Sequence, residues 1–272
     1  MKVIAILGRV LDPTGIVVNR RAGRIFINRE EYILPPADRC ALEAAMRIKD
    51  ATGCQVIALP RALFPDDDVL RQALAVGADR AIYLEGHGLD RADDALMASV
   101  LAAAIERLGG ADLVLTGATT LDTGWVQLGP RLAEILDWPQ ILDAWQVTVR
   151  DDAAAVQAVV RSDRGYVIME AGMPALVTLV PGALRLRYPN GARLINVYRG
   201  VGAVAEALER WEVDTLLRER RGPVLEHRGQ EFPPERERGV RVRGTPTEMA
   251  QAVAETLRQR LGAMRRITPA TR

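Results

Sequence analysis

The stretch of sequence with the clearest chemical potential is Gly117-Ala118-Thr119-Thr120-Leu121-Asp122-Thr123-Gly124-Trp125-Val126-Gln127-Leu128-Gly129-Pro130. It offers glycines, hydroxyls and accessible backbone N–H groups just ahead of a helical pattern. The first N–H groups of a helix have no partner inside it, and they lie at the positive end of its dipole. A loop of this composition at that place can cradle a phosphate. An ordinary glycine-rich turn has the same composition, so these residues alone leave both readings open.

Other reactive constellations are missing. Gly8-Arg9-Val10 follows the first apolar run without a GxGxxG signature, and the sequence holds no Walker A, GxSxG or SGGxDS-like loop. The carboxylates form no obvious acid–base pair. Hydrolysis and ATP cleavage therefore have little support. Cys40 and Cys54 are the only cysteines, sit in or beside apolar helical stretches and lack a CxxC, which points to buried free thiols. His87 and His227 are far apart without ligand spacing, so no metal site is expected.

The elements that would position the loop alternate between two periodicities. Val3–Leu7, Gln55–Leu59, Arg80–Leu84 and Asp112–Thr116 are short apolar runs, the mark of strands buried on both faces. Arg24–Asn28 reads as a further short strand. Between them, Asp38–Ala51, a segment running to Val76 and Asp93–Leu108 carry helical spacing, with Gly53, Gly77 and Gly109-Gly110 as stops. Pro130–Leu136 is helical as well. Alternation of this kind predicts a mostly parallel Rossmann-like sheet with helices on both faces. Ligands of such sheets bind outside the carboxyl ends of the strands, which singles out Gly8–Pro13, Pro60–Pro65 and Gly117–Gly129. Trp145–Arg150, Ala155–Ser162, Tyr166–Glu170 and Ala175–Val180 read as a hairpin-rich extension of that sheet. The expected domains are 1–198, an α/β nucleotide-binding-like unit, and 199–272, an Arg/Glu-rich arm that wraps a partner. The arm closes on a helix announced by the capping box Thr245-Pro246-Thr247-Glu248.

The chain has 272 residues, 49% of them hydrophobic, and a formal charge of +1. That suits a sizeable core and argues against disorder. It leaves no basic footprint for nucleic acid and no apolar stretch near the ~20 residues of a membrane span. Without a signal-like N-terminus, a cytoplasmic location is expected.

Several blocks, in order, carry a family resemblance. Cys40–Asp50, Leu70–Ile82, Asp112–Gly117, Asp137-Trp138-Pro139-Gln140 and Arg187-Tyr188-Pro189 resemble successive segments of electron-transfer flavoprotein beta subunits. The resemblance implies an adenine-nucleotide-hydrolase-like α/β fold and an electron carrier with no bond chemistry of its own. It implies an alpha-subunit partner that holds most of a shared FAD, an acyl-CoA-type or other dehydrogenase as electron donor, and a quinone reductase or other acceptor. In this chain it implies AMP, or a second FAD, near Ile6, Pro36, Asp38, Arg61, Gly117, Thr119, Asp122, Thr123, Gly124, Trp125, Val126 and Gln127. Docking is expected around Arg187, Tyr188, Gly191, Leu194 and Ile195. The chain departs from the family at Trp125, which takes the place of a threonine, at Ala37, which replaces an aromatic, and at Gly191, where an apolar anchor is usual. Two alternatives follow: a structural subunit that has lost its AMP, and a stand-alone adenine-nucleotide-binding regulatory protein.

Overall fold

A computed structural model describes residues 1–86, 92–124, 127–150, 152, 154–217, 223–225, 229, 232, 239 and 241–267. Trp125, Val126, His87, His227 and most of 218–240 lie outside them.

β1 (Lys2–Leu7) is apolar and buried on both faces. β2 (Val10–Leu11), β3 (Ile16–Asn19), β4 (Arg24–Ile27) and β5 (Tyr32–Ile33) follow. β3 pairs with β4 and β2 with β5, so the strand expected at Arg24–Asn28 belongs to a small hairpin outside the main sheet. Then come α1 (Pro36–Thr52), β6 (Gln55–Pro60), α2 (Asp68–Val76), β7 (Arg80–Glu85), α3 (Asp94–Arg107), β8 (Leu113–Gly117) and α4 (Leu128–Leu136). Proline is tolerated in the first turn of α1, and Gly53 ends that helix at φ 69, a left-handed conformation that glycine adopts without strain. Asp93 caps α3 by accepting from Leu96 N at 2.9 Å.

β9 (Gln140–Val149), β10 (Ala155–Ser162) and β11 (Gly165–Gly172) form the expected antiparallel meander. β12 (Ala175–Leu179) returns to lie between β8 and β9, parallel to both. α5 (Gly191–Arg199), α6 (Ala203–Glu206) and β13 (Leu208–Glu212) follow. The sheet order is β11-β10-β9-β12-β8-β1-β6-β7-β13. The sheet is parallel from β9 to β13.

The alternation along β1 feeds two cores. Val3, Ala5 and Leu7 join Ala41, Ala44 and Ala45 of α1 and Leu70 and Ala73 of α2. Ile4 and Ile6 join Met97, Leu101 and Ile105 of α3 and Leu128 and Leu132 of α4. Burial of apolar side chains on both faces is what makes this sheet the scaffold, at about 25 cal/mol per Å² removed from water.

One expectation is corrected. Residues 199–217 are not an arm: β13 pairs with β7 and closes the sheet, and Trp211 and Val213 enter the core. The compact units are Met1–Arg228 and Gly229–Arg272. The segment with the expected docking residues Gly191, Leu194 and Ile195 is helix α5. Asn190 caps it by accepting from Ala192 N and Arg193 N. In the second unit, α7 (Pro246–Ile267) begins with the expected capping box: Glu248 Oε2 accepts from Thr245 N at 2.7 Å, and Glu248 N donates back to Thr245 Oγ1 at 3.4 Å. Among the described residues no helix is long and apolar enough to cross a membrane.

Candidate functional site: a pinned cleft at the switch point

Strand order reverses at β1. The chain moves outward from β1 through β6 to β7, then crosses to β8 on the other side. The loops leaving β1, β6 and β8 splay apart above their carboxyl ends, where ligands of such sheets bind. There a cleft of about 200 Å³ is lined by Gly8 to Val10, by Arg61 and Phe64, by Asp94 and Met97 of α3, and by Thr120, Asp122 and Thr123.

One carboxylate holds two of these loops. Asp38, in the first turn of α1, is fully buried. Its Oδ2 accepts from Gly8 N at 2.6 Å and its Oδ1 from Gly117 N at 3.0 Å. Arg61 closes the arrangement: Nη1 donates to Gly117 O at 3.2 Å and lies 3.6 Å from Asp38 Oδ1. Arg61 N donates to Leu7 O at 2.8 Å, which ties the β6 loop to the end of β1. Both glycines are needed for the approach. A Cβ on Gly8 would stand 2.7 Å from Asp38 Oδ2, and one on Gly117 only 2.1 Å from Oδ1. Burial pushes the Asp38 carboxyl up to about 6, against the pull of Arg61 and the two N–H groups. Desolvation outweighs stabilisation of the anion, while each hydrogen bond to a charged group still contributes roughly 1.5–3 kcal/mol.

Among the described residues, two that line this cleft carry a buried polar atom without a hydrogen-bond partner, Arg9 Nε and Asp94 Oδ2. Arg9 is otherwise engaged, its Nη2 2.7 Å from Asp66 and its guanidinium 3.4 Å above the Tyr32 ring. Burial also raises the Asp94 carboxyl above its usual range, opposed by Arg61 and by the backbone N–H groups of Gln127 and Leu128 at the start of α4.

The structure brings together Asp38, Arg61, Gly117, Asp122 and Thr123 from the expected set. Ile6 is a core residue between Leu59 and Thr116, with its side chain away from the cleft. Pro35 lines the cleft in the place expected of Pro36. Thr119 turns to a second groove, shared with Trp145 and Pro181. Gly124 takes a φ of 69, and the Gln127 side chain accepts from Arg131 at 3.0 Å. Trp125 and Val126 lie outside the described residues. Arg9, Phe64, Asp94 and Met97 were not foreseen. Arg9 lies in a loop the sequence singled out, and Asp94 follows a recognisable helix cap, but nothing in the sequence brings the two together.

The expected docking residues divide. Arg187 is tied down, 3.0 Å from Glu43 and 2.8 Å from Asp50 on α1. Leu194 is not an exposed anchor; it packs against the core. Tyr188 and Ile195 are exposed, and Gly191 opens α5.

The family described as Electron transfer flavoprotein domain matches residues 24–211. The chain is 28% identical over 268 residues to the acryloyl-CoA reductase electron transfer subunit gamma of Anaerotignum propionicum, covering 96% of this chain and 99% of that one. It is 32% identical over 197 residues to the electron transfer flavoprotein subunit beta of Megasphaera elsdenii, covering 70% and 72%. It is 29% identical to the corresponding subunit of Bacillus subtilis, covering 95% and 98%. With strand-end loops pinned around a cleft at the switch point and this breadth of similarity, the chain belongs to the electron transfer flavoprotein family and aligns with its beta-type subunits.

Proposed function

We propose that this chain is the beta subunit of a heterodimeric electron transfer flavoprotein, an electron carrier and not a stand-alone catalyst. The observation that carries the reading is the alignment with the electron transfer flavoprotein subunit beta of Bacillus subtilis over 95% of the chain. An alpha subunit holds most of a FAD, and the strand-end loops of this chain close over it. Electrons arrive from an acyl-CoA-type or other dehydrogenase and leave to a quinone reductase or another acceptor. Work of this kind asks a protein to fix distances and exclude water rather than to move protons. The Asp38 and Arg61 network suits that task, because it locks three loops through backbone atoms. The complex works in the cytoplasm.

The cleft in this chain is the place for AMP or a second FAD. Arg9 and Arg61 favour an anion there, whereas Asp94, the first residue of α3, opposes one. That opposition favours a second reading, in which the chain keeps the heterodimer scaffold and no longer holds a nucleotide phosphate. The regulatory reading rests on fold alone, and no observation favours it.

Co-expression with an alpha-type subunit tests the proposal. The expected product is a yellow one-to-one complex containing FAD. Acid extraction followed by chromatography then reveals whether AMP, a second FAD or neither accompanies it. A colourless monomer that binds ATP would refute the carrier reading.

A further inference from the structure

Between β1 and α1 the chain builds a ribbon that belongs to neither core. Among the described residues, β3 and β4 pair with each other and with no other strand. Cross-strand partners share a face. Val17 and Phe26 therefore lie on one side, and Ile16, Val18, Ile25 and Ile27 on the other. Neither side is covered: Val17, Val18, Ile25, Phe26 and Ile27 are 44 to 56% exposed, and no residue of the two strands joins a core cluster. A two-stranded ribbon is marginal on its own in water, and contiguous exposed apolar side chains mark an interaction surface.

The ribbon is braced at both ends. At its root Asn28 N donates to Gly15 O at 2.9 Å and Asp12 N to Glu31 O at 2.7 Å. Gly15 sits so close to the opposite strand that a Cβ there would stand 2.1 Å from Arg29 O. At the tip Asn19 Oδ1 accepts from Ala22 N at 3.1 Å, and Gly23 takes a φ of 58. A shape held before binding loses little freedom on docking.

Two features select the occupant. Apolar side chains on both faces call for a slot, because a bilayer surface would cover one face and leave the other in water. The tip is basic: Arg20, Arg21 and Arg24 are exposed. Arg9 and Arg29, nearer the root, pair with Asp66 and Glu31, whereas among the described residues the three at the tip have no carboxylate partner. Three such charges oppose insertion into hydrocarbon tip first and suit an acidic protein surface. The root also fixes where the ribbon stands. β2, which pairs there with β5, supplies Val10 to the wall of the switch-point cleft, and Tyr32 of β5 lies under the Arg9 guanidinium.

We propose that the β3–β4 hairpin is a docking element for the larger, flavin-bearing subunit: it enters an apolar slot of that subunit, whose far end carries carboxylates that meet Arg20, Arg21 and Arg24. This rests on the reading of the chain as one subunit of an electron transfer flavoprotein heterodimer, and it adds a contact separate from the Arg187–Ile195 segment.

The test compares amide hydrogen exchange at residues 16–27 in the isolated chain and in the co-expressed, FAD-containing heterodimer. It also measures the heterodimer dissociation constant for Val17→Thr with Phe26→Thr, for Val18→Thr with Ile25→Thr, and for Arg20→Gln with Arg21→Gln and Arg24→Gln. Threonine favours strand, so the ribbon itself is kept. Exchange in the hairpin is expected to slow at least about tenfold on assembly, and each face pair to weaken the heterodimer at least about tenfold. The tip variant is expected to weaken it at low salt and to flatten its salt dependence. Equally fast exchange in both states overturns the proposal, as does a dissociation constant within about threefold of wild type for either face pair, or an unchanged salt dependence for the tip variant. Protection already complete in the isolated chain overturns it too, since another segment or a second copy then covers the ribbon. So does wild-type binding to phosphatidylcholine–phosphatidylglycerol vesicles that the face pairs abolish while the heterodimer is unaffected. The exchange comparison uses wild type alone, so it decides the matter even if a variant misfolds. A heterodimer that never forms defeats the carrier reading and this inference with it, whereas a yellow heterodimer with an uncovered ribbon defeats this inference alone.

Discussion

Replacing Asp38 by asparagine isolates the energetic role of the buried carboxylate. In the folded chain its pKa is pushed up to about 6 from 3.8, with burial as the leading cause. Between those two values the folded state binds more protons than the unfolded state. Stability at this position is therefore greatest below the unfolded value and is lost as pH rises through the folded one. A rise from 3.8 to about 6 amounts to about 3 kcal/mol in total, of which roughly half falls between pH 5 and pH 8. The substituted amide cannot titrate. It keeps one acceptor for either Gly8 N or Gly117 N and turns an NH2 group toward the other, which costs about 1–3 kcal/mol at every pH. Urea unfolding of both proteins at pH 5 and pH 8 separates the two effects, provided the m-values agree. D38N is expected to be clearly weaker than wild type at pH 5 and to recover by about 1–2 kcal/mol relative to it at pH 8. A difference independent of pH refutes the reasoning. It would mean that Arg61 and the two N–H bonds outweigh desolvation and keep the carboxyl ionised at both pH values.

Gly117→Ala places a Cβ 2.1 Å from Asp38 Oδ1 and 3.0 Å from Asp38 N, so the loop after β8 must shift. A stability loss of at least about 2 kcal/mol is expected, read as a lower melting temperature. Arg187→Met removes the guanidinium 3.0 Å from the buried Glu43 carboxylate, which keeps Arg47 Nε at 3.1 Å and the backbone N–H of residue 187. It should cost about 1–3 kcal/mol, and a double-mutant cycle with Glu43→Gln should show coupling above about 0.5 kcal/mol. Thr245→Ala removes the reciprocal cap of α7 and should cost about 1 kcal/mol of helix stability, visible as faster amide exchange at residues 246–249.

The sequence pattern was most readable where the sheet is buried on both faces. β1, β6, β7 and β8 each lie within a residue or so of the apolar runs that announced them, because an interior parallel strand has no polar face to blur its signal. β13 was missed for the opposite reason. Leu208–Glu212 is an edge strand dominated by charge, and its charges are satisfied across the pair: Arg80 meets Glu209 at 2.6 Å and Arg210 meets Glu85 at 2.7 Å. Periodicity cannot report a strand whose partners are ion pairs on its neighbour. α5 carries an Asn190 cap and a Gly200 stop, but Leu194, Ile195 and Val197 are its large aliphatic residues, and they make only a short stripe. At the site, family likeness pointed to Asp38 without explaining it, since the backbone groups it holds lie 30 and 79 residues away in the chain. Asp94 looked like part of a helix start, and its position under α4 follows only from the packing of α3 against α4.

The place of β12 bears on how the chain emerges from a ribosome. β8 ends at Gly117, yet its neighbour on the side away from β1 begins only at Ala175. The whole β9–β11 meander is synthesised before the strand that attaches it to the rest of the sheet. A nascent chain that has finished β8 thus shows an open hydrogen-bonding edge until Leu179 is out. Joining the two halves is a late, long-range event, slow in the way that distant pairings are slow, and the first half has its own four-strand sheet, β8-β1-β6-β7, to hold while it waits.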